Sequence, residues 1–207
     1  MLTYKCNVNN IKIGGNTLKI KDMIICSLFA ALMAVGANVA PFLTIGGIPI
    51  TLQLLFAILA GGLLGSRLGS LAMGLYLLLG LIGAPVFAQF RGGIGSILSP
   101  TFGYVISFIF VAYVVGKLLE KESVSRVHYI SAGMLAIIVN YIIGTNYTYF
   151  ALTFWAEAPE GFSYIVAWSW MGAYLPIDIG VTIFALIMVP KLKKALNYRP
   201  EVKQKAA

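Results

Sequence analysis

One acid, Asp178, stands inside a long apolar run of the 207-residue chain, 14 residues after Tyr164 and 13 before Lys191. At ~1.5 Å of rise per residue, that spacing puts it near the middle of a bilayer-spanning helix. A charge there costs at least ~2.5 kcal/mol on insertion scales, so the side chain is expected to face a bundle interior and to have a partner. The partner could be another helix or a ligand. Pro176, two residues earlier, favours the ligand, because it removes a backbone donor and frees a carbonyl. A second candidate is the segment 88–96, where Gln89 and Arg91 precede Gly92 and Gly93. A guanidinium offers a planar fork suited to a carboxylate, and glycines let backbone N–H groups converge on an acceptor. The plainer reading is a flexible turn with an incidental arginine. The third feature is a stripe of small residues, Ser27, Ala30, Ala34 and Ala37, spaced i, i+3, i+7, i+10. Such a face lets a second helix approach closely in lipid, within the bundle or from a partner.

Chemistry of other kinds is hard to assemble from these residues. The single histidine, His128, lies beside Arg126 in a polar segment and reads as a solvated or headgroup residue. Cys6 and Cys26 have no CxxC spacing and read as neither metal ligands nor a structural disulfide. There is no HExxH pair, no second intramembrane carboxylate to face Asp178, and no GxxxxGK[ST] phosphate loop. Binding without catalysis, cofactor or metal is the expectation, with any ATP hydrolysis done by other chains.

The elements that must position these residues follow from composition. The chain is 59% hydrophobic and 11% charged, with a mean hydropathy of +0.89. Soluble domains carry about 25% charged residues, and seven acids plus fifteen bases cannot cover a protein of this size. An all-α integral membrane protein with six transmembrane helices is predicted. A helix needs about 20 apolar residues to cross, so the 44 uncharged residues from Met23 to Ser66 make two spans, at about 23–40 and 49–65, broken by the Pro and Gly of 41–49. Further spans are expected at about 68–90, 101–119, 129–156 and 162–190. Six crossings put both termini on one side, and fourteen of the fifteen bases then share that side; Arg91 alone stands opposite, with Glu157 and Glu160. By the positive-inside rule the termini are cytoplasmic. The predicted organisation is a basic cytoplasmic segment 1–22 with no cleavable signal, a membrane domain 23–190 without internal repeats, and a basic tail 191–207. The net charge of +8 is thus a topology signal and not a nucleic-acid footprint. Tyr147, Tyr149, Trp155, Trp168 and Trp170 suit interfacial belts, with one or two of them free to line an apolar pocket.

Several short motifs, taken in order, resemble the BioY family, the biotin-binding S components of energy-coupling factor (ECF) vitamin transporters. They are Ile48-Pro49-Ile50-Thr51-Leu52-Gln53, Gly65-Ser66-Arg67-Leu68-Gly69, Leu77 to Phe87 with Gly83-Ala84-Pro85, the Gly92-Gly93 loop, Ser99-Pro100-Thr101-Phe102-Gly103-Tyr104, Tyr141 to Thr145, and Leu175-Pro176-Ile177-Asp178. The resemblance runs from about Ile24 to Pro190. It implies a six-helix solute-binding bundle in a prokaryotic cell membrane, opening outward. It also implies docking on the membrane scaffold EcfT, driven by two cytoplasmic ATPases. An AxxxA face on the first helix serves that docking in the family, matched here by Ala30 and Ala34. Ligand contacts are implied for Arg91 and Asp178, and Gln53, Gln89, Asn140 and Tyr141 join Gly92 and Gly93 as further candidates. The family's sixth-helix motif continues Pro-Gly-Asp and then, three residues on, Lys; Ile177 and Val181 stand at the Gly and Lys positions, and Ser99 and Phe102 replace glycines of the neighbouring motif. Biotin is the ligand implied, with lipoate or another small vitamin-like acid still open. A stand-alone proton-coupled carrier of a small carboxylate, using Asp178, is the alternative of a different class.

Overall fold

The computed structural model describes residues 10–13, 16–39, 44–45, 48–121 and 123–196. Cys6, Pro41, Gly46, Gly47 and the tail beyond Leu196 lie outside them. In chain order the elements are β1 (Asn10–Ile13), β2 (Asn16–Lys19), α1 (Ile20–Asn38), β3 (Thr44–Ile45), β4 (Ile48–Pro49), α2 (Gln53–Ile82), two 3-10 turns (Ala88–Phe90 and Ile94–Leu98), α3 (Phe102–Leu119), α4 (Arg126–Phe154) and α5 (Tyr164–Leu196). Among the described residues, five helices are long and apolar enough to cross a membrane. The strands form two small antiparallel pairs. One joins Asn10 to Lys19 and Ile13 to Asn16, inside the basic segment, which sequence reading leaves without structure. The other joins Thr44 to Pro49 across the expected break between the first two helices.

α2 is not a straight rod. A continuous 30-residue helix would be about 45 Å long and would hold residues 23 apart roughly 35 Å from one another. Instead, Gln53 Nε2 donates to Tyr76 Oη at 2.9 Å, and a Cβ on Gly69 would lie 2.9 Å from Gly61 Cα. The chain folds back at Gly65, whose φ of 83° and ψ of 178° are open to glycine and strained for any other residue. Two antiparallel arms result, 53–64 and 66–82.

α3 passes the tip of this hairpin so closely that a Cβ on Gly116 would stand 2.3 Å from Ser66 N. Glu120, just past the end of α3, caps the second arm from outside: its Oε2 accepts from Ser66 N–H at 3.0 Å and Ser66 Oγ at 2.9 Å. This satisfies a donor that the arm's first turn leaves unpaired and sets a negative charge at its positive end. Burial pushes the Glu120 carboxyl up, but the two Ser66 donors and Lys117, 3.4 Å away, outweigh it and hold the group below its ordinary range. Lys193 Nζ donates to Leu119 O at 3.1 Å, so the end of α5 closes onto the same corner. Arg67, Lys117, Glu120 and Lys193 therefore gather at one end of the bundle.

His128 also has a structural post. Its Nδ1 lies 2.8 Å from Ser125 Oγ and accepts Ser125 N–H at 3.2 Å, closing a capping box at the start of α4. α5 continues through Pro176 and Pro190 to Leu196, longer than the charge-free run and without the opening that Pro176 suggests.

α2 and α3 form the centre, with α1 and α5 against α2, and α4 against α3 and α5. Met33, Ile58, Met73, Tyr76, Val111 and Val115 are wholly enclosed. Ile24, Leu28 and Val35 of α1, Phe110 of α3, Ile138 and Ile142 of α4, and Ile179, Ile183 and Ile187 of α5 point outward. Apolar bands of this extent on every outer helix need lipid, not water. Cys26 is a buried free thiol, 3.5 Å from Leu68 O.

Candidate functional site

A cavity of about 410 Å³ opens among the first arm of α2, the 83–101 loop, and the facing sides of α3, α4 and α5. That is within the range of small-molecule sites. Its wall includes Gln53, Gln89, Arg91, Asn140, Tyr141 and Asp178, six of the eight ligand candidates. Among the described residues Arg91 is the only base and Asp178 the only acid in this wall; the rest is aromatic, aliphatic, amide- or hydroxyl-bearing, with the thioether of Met171.

Asp178 is half-buried, about 21 Å along α5 from Tyr164. Its Oδ2 accepts from Tyr141 Oη at 2.7 Å, and Tyr141 is 8% exposed. The expected interhelical partner is therefore present, and the acid belongs to the cavity as well; the two readings of Asp178 are compatible. Next to Tyr141, Asn140 is buried, with Oδ1 2.7 Å from Ser107 Oγ, which also lies 2.7 Å from Tyr104 O. One hydroxyl proton serves one of these two acceptors, so the Asn140 amide retains capacity for a further contact. Gln53 starts a relay: its Nε2 donates to Tyr76 Oη, which donates to Val86 O at 3.0 Å. This ties both arms of α2 to the loop and places Gln53 in the wall.

Gly92 and Gly93 are corrections to the sequence reading. Neither lines the cavity. A Cβ on Gly92 would stand 2.2 Å from Ala84 O, and Gly93 N–H donates to Gly80 O at 2.7 Å, so these backbones secure the loop to the end of α2 and do not converge on a ligand. Arg91 is exposed at the mouth, and among the described residues no acid forms an ion pair with it.

Sequence reasoning missed the aromatic wall. Phe87, Phe102, Tyr104, Phe108 and Tyr174 line the cavity. A run of ring contacts leads from Tyr76 to Phe87 at 5.5 Å, on to Phe102 at 6.3 Å, then Tyr147 at 6.0 Å and Trp155 at 6.1 Å. Edge-to-face rings of this kind are stiff and give the wall a fixed shape. Tyr104 Oη lies 3.2 Å from Thr145 Oγ1 and 3.1 Å from Met171 Sδ. Tyr147 and Trp155, expected in a belt, instead hold the loop: Tyr147 Oη donates to Ile97 O, and Trp155 Nε1 to Leu98 O at 2.8 Å. Trp168 and Trp170 pack behind Tyr141 and Tyr174. The alternation of large residues on α3 carried no marker separating cavity from core. Among the described residues, no group of three His, Cys, Asp or Glu is placed to hold a metal ion.

The small stripe on α1 divides. Ala30 at 2% and Ala37 at 0% exposure face the bundle, so they pack inside and offer nothing to a partner. Ser27 is exposed and Ala34 half-buried. The outward small pair is Ser27 and Ala31, i and i+4, flanked by Ile24, Leu28 and Val35. The outward face thus lies about one helical position from the expected stripe.

Comparison with known proteins agrees with this architecture. The BioY family model matches residues 9–198. A Bacillus subtilis protein carrying the name BioYB is 39% identical over 184 residues, 87% of this chain and 91% of its own length. The biotin transporter BioY of Thermotoga maritima is 38% identical over 137 residues, 66% of this chain and 77% of its own. A crystal structure of the S-component for biotin from an ECF-type ABC transporter superposes with a TM-score of 0.71 at 25% identity, covering 84% of this chain and 92% of that one. Val181 packs against the core and is not among the residues that line the cavity. With its hairpin α2, its loop-capped cavity and its match over nearly the whole length, the chain belongs to the BioY family.

Proposed function

We propose that this chain is the solute-binding S component of an ECF-type importer and captures biotin in the cavity capped by the 83–101 loop. The observation that carries the reading is the cavity itself: one acid and one base, among the described residues, in an otherwise uncharged wall of aromatic, aliphatic, amide and hydroxyl side chains, in a chain of the BioY family. Biotin has a neutral ureido end, whose N–H groups suit the Asp178 carboxylate, and an anionic tail, for which Arg91 is the cation available. Val181 contributes no charge, so tail recognition rests on Arg91. Nothing in the cavity performs chemistry on a solute; binding and release are its work.

The finer assignments follow from this reading. The two arms of α2 run in opposite directions as two of six helical segments, which leaves both termini cytoplasmic; the end that gathers Arg67, Lys117 and Lys193 is cytoplasmic, and the Arg91 loop is external, as the positive-inside rule requires. ATP is hydrolysed by two cytoplasmic partners, and the energy reaches this chain through an EcfT scaffold docked in the membrane against the Ser27–Ala31 face of α1. The basic segments 1–22 and 191–207 flank the membrane domain on the cytoplasmic side of a prokaryotic cell membrane.

Mass spectrometry of the small molecule that co-purifies with the detergent-solubilised chain tests the ligand directly. Biotin is the expected species, and lipoate or an unrelated acid in its place overturns the assignment. Uptake of labelled biotin by this chain alone, abolished by a protonophore, would overturn the S-component reading in favour of a proton-coupled carrier.

A further inference from the structure

The loop that presents Arg91 is built on an unfavourable backbone. Gln89 and Phe90 have φ values of 62° and 55°, in the left-handed region that residues other than Gly, Asn and Asp enter at a cost. They are the central residues of a turn closed by Phe87 N–H donating to Arg91 O at 3.0 Å. The turn carries Gln89 and Arg91 into the cavity wall and leaves Phe90 outside, 62% exposed. A strained turn of this kind persists only where its surroundings hold it.

The holder is on α1. Asn38, the last residue of that helix, accepts Phe90 N–H on Oδ1 at 2.8 Å, while its Nδ2 donates to Ala34 O at 2.9 Å. The two bonds fix the amide in one orientation, because only its oxygen accepts and only its nitrogen donates. α1 is anchored at the same height: Leu52 N–H donates to Gly36 O at 2.9 Å, joining it to the start of α2. Asn38 itself is absent from the cavity wall.

We propose that Asn38 is a positioning residue for ligand capture: by accepting Phe90 N–H it holds the left-handed turn and so keeps the Arg91 guanidinium where it meets the ligand carboxylate. The inference rests on the functional reading above, in which Arg91 binds the acid group. It differs from a purely stabilising role in one respect: its effect passes through Arg91 and reaches only ligands that carry the acid.

Calorimetry on the full chain in detergent, with biotin and biotin methyl ester as probes, tests it. Loss of one partly exposed hydrogen bond should make Asn38→Ala weaken biotin about 3- to 10-fold, with the ester changed less than about 2-fold. In an Arg91→Ala background the same substitution should add less than about 2-fold for biotin. Asn38→Gln, which keeps the amide but displaces it by one methylene, should give a smaller loss with the same selectivity and replaces the alanine variant if that one does not fold. Unchanged biotin affinity, an equal loss for acid and ester, or full additivity with Arg91→Ala overturns the inference while leaving biotin capture intact. Failure of the parent chain to bind biotin overturns the functional reading, and this inference with it.

Discussion

Removing the Arg91 side chain separates the two ends of the bound solute. Among the described residues Arg91 is the only base in the cavity wall, and Val181, one turn beyond Asp178 on α5, packs against the core and carries no charge. No neighbouring charge can therefore take over when the guanidinium is lost. A hydrogen bond to a charged group contributes about 1.5–3 kcal/mol. Because Arg91 stands exposed at the mouth, where water screens it, the lower part of that range applies. Arg91→Ala should weaken biotin about 10- to 30-fold. The methyl ester, with no negative tail, should bind variant and parent within about 2-fold. Asp178→Asn should instead reduce acid and ester alike, since it alters the wall proposed to meet the ureido end and changes the acceptor of Tyr141 Oη. Calorimetry with both ligands on parent and variants gives the four affinities needed. Undiminished biotin binding by Arg91→Ala, or a parallel fall for the ester, refutes the placement of the carboxylate at the loop.

Tyr141→Phe removes the donor to Asp178 Oδ2 and should weaken acid and ester together by about 3- to 10-fold, read in the same titrations. Cysteine at Glu157 should be labelled from outside by an impermeant reagent in whole cells and cysteine at Lys121 should not; the reverse pattern refutes the orientation. Ala31→Trp, on the outward face of α1, should abolish ATP-driven uptake with the partner proteins and leave biotin binding by the isolated chain within about 2-fold, whereas Ala30→Trp, which points inward at 2% exposure, should damage folding and binding first. The Glu120 carboxyl is held below its ordinary value of 4.5 in the folded chain, so its contribution is present above that value and is lost as pH falls through the depressed folded value. The melting-temperature gap between parent and Glu120→Gln should accordingly be open at neutral pH and close in acid; a gap that persists at low pH refutes the capping role.

Charge alone carried much of the architecture. The long uncharged runs mark every helix seen here, because lipid tolerates so few ionised groups that their positions outline the spans. Helix ends were less legible. The run ending at Pro190 misses six residues of α5, since Lys191, Lys193 and Lys194 can stay helical while their charges reach the interface. The reversal at Gly65 falls where Arg67 ends the uncharged run, but only the Gln53–Tyr76 contact reveals that the two arms are tied side by side.

The site was legible where a residue is chemically rare and illegible where it is common. Arg91 and Asp178 are conspicuous because a base outside the basic cluster and an acid in an apolar run each oppose the solvation pattern around them. Phe102, Phe108 and Tyr174 form as much of the wall, yet an aromatic residue in a membrane helix is equally suited to core, lipid and ligand, and only packing distinguishes the three. The same limit governs α1. Ala30, Ala34 and Ala37 share one small face and Ala31 stands about a hundred degrees from Ala30, and spacing cannot say which of the two α2 covers. Leu52 N–H on Gly36 O settles the rotation by pinning one side of α1 to the start of α2, which turns Ala30 and Ala37 inward and leaves Ser27 and Ala31 to the membrane. That contact is two residues from Asn38, whose side chain accepts Phe90 N–H of the 83–101 loop. On the proposed reading, a partner on the Ser27–Ala31 face and a solute at Arg91 would act on one helix, at positions that Ala31 and Asn38 set about two turns apart.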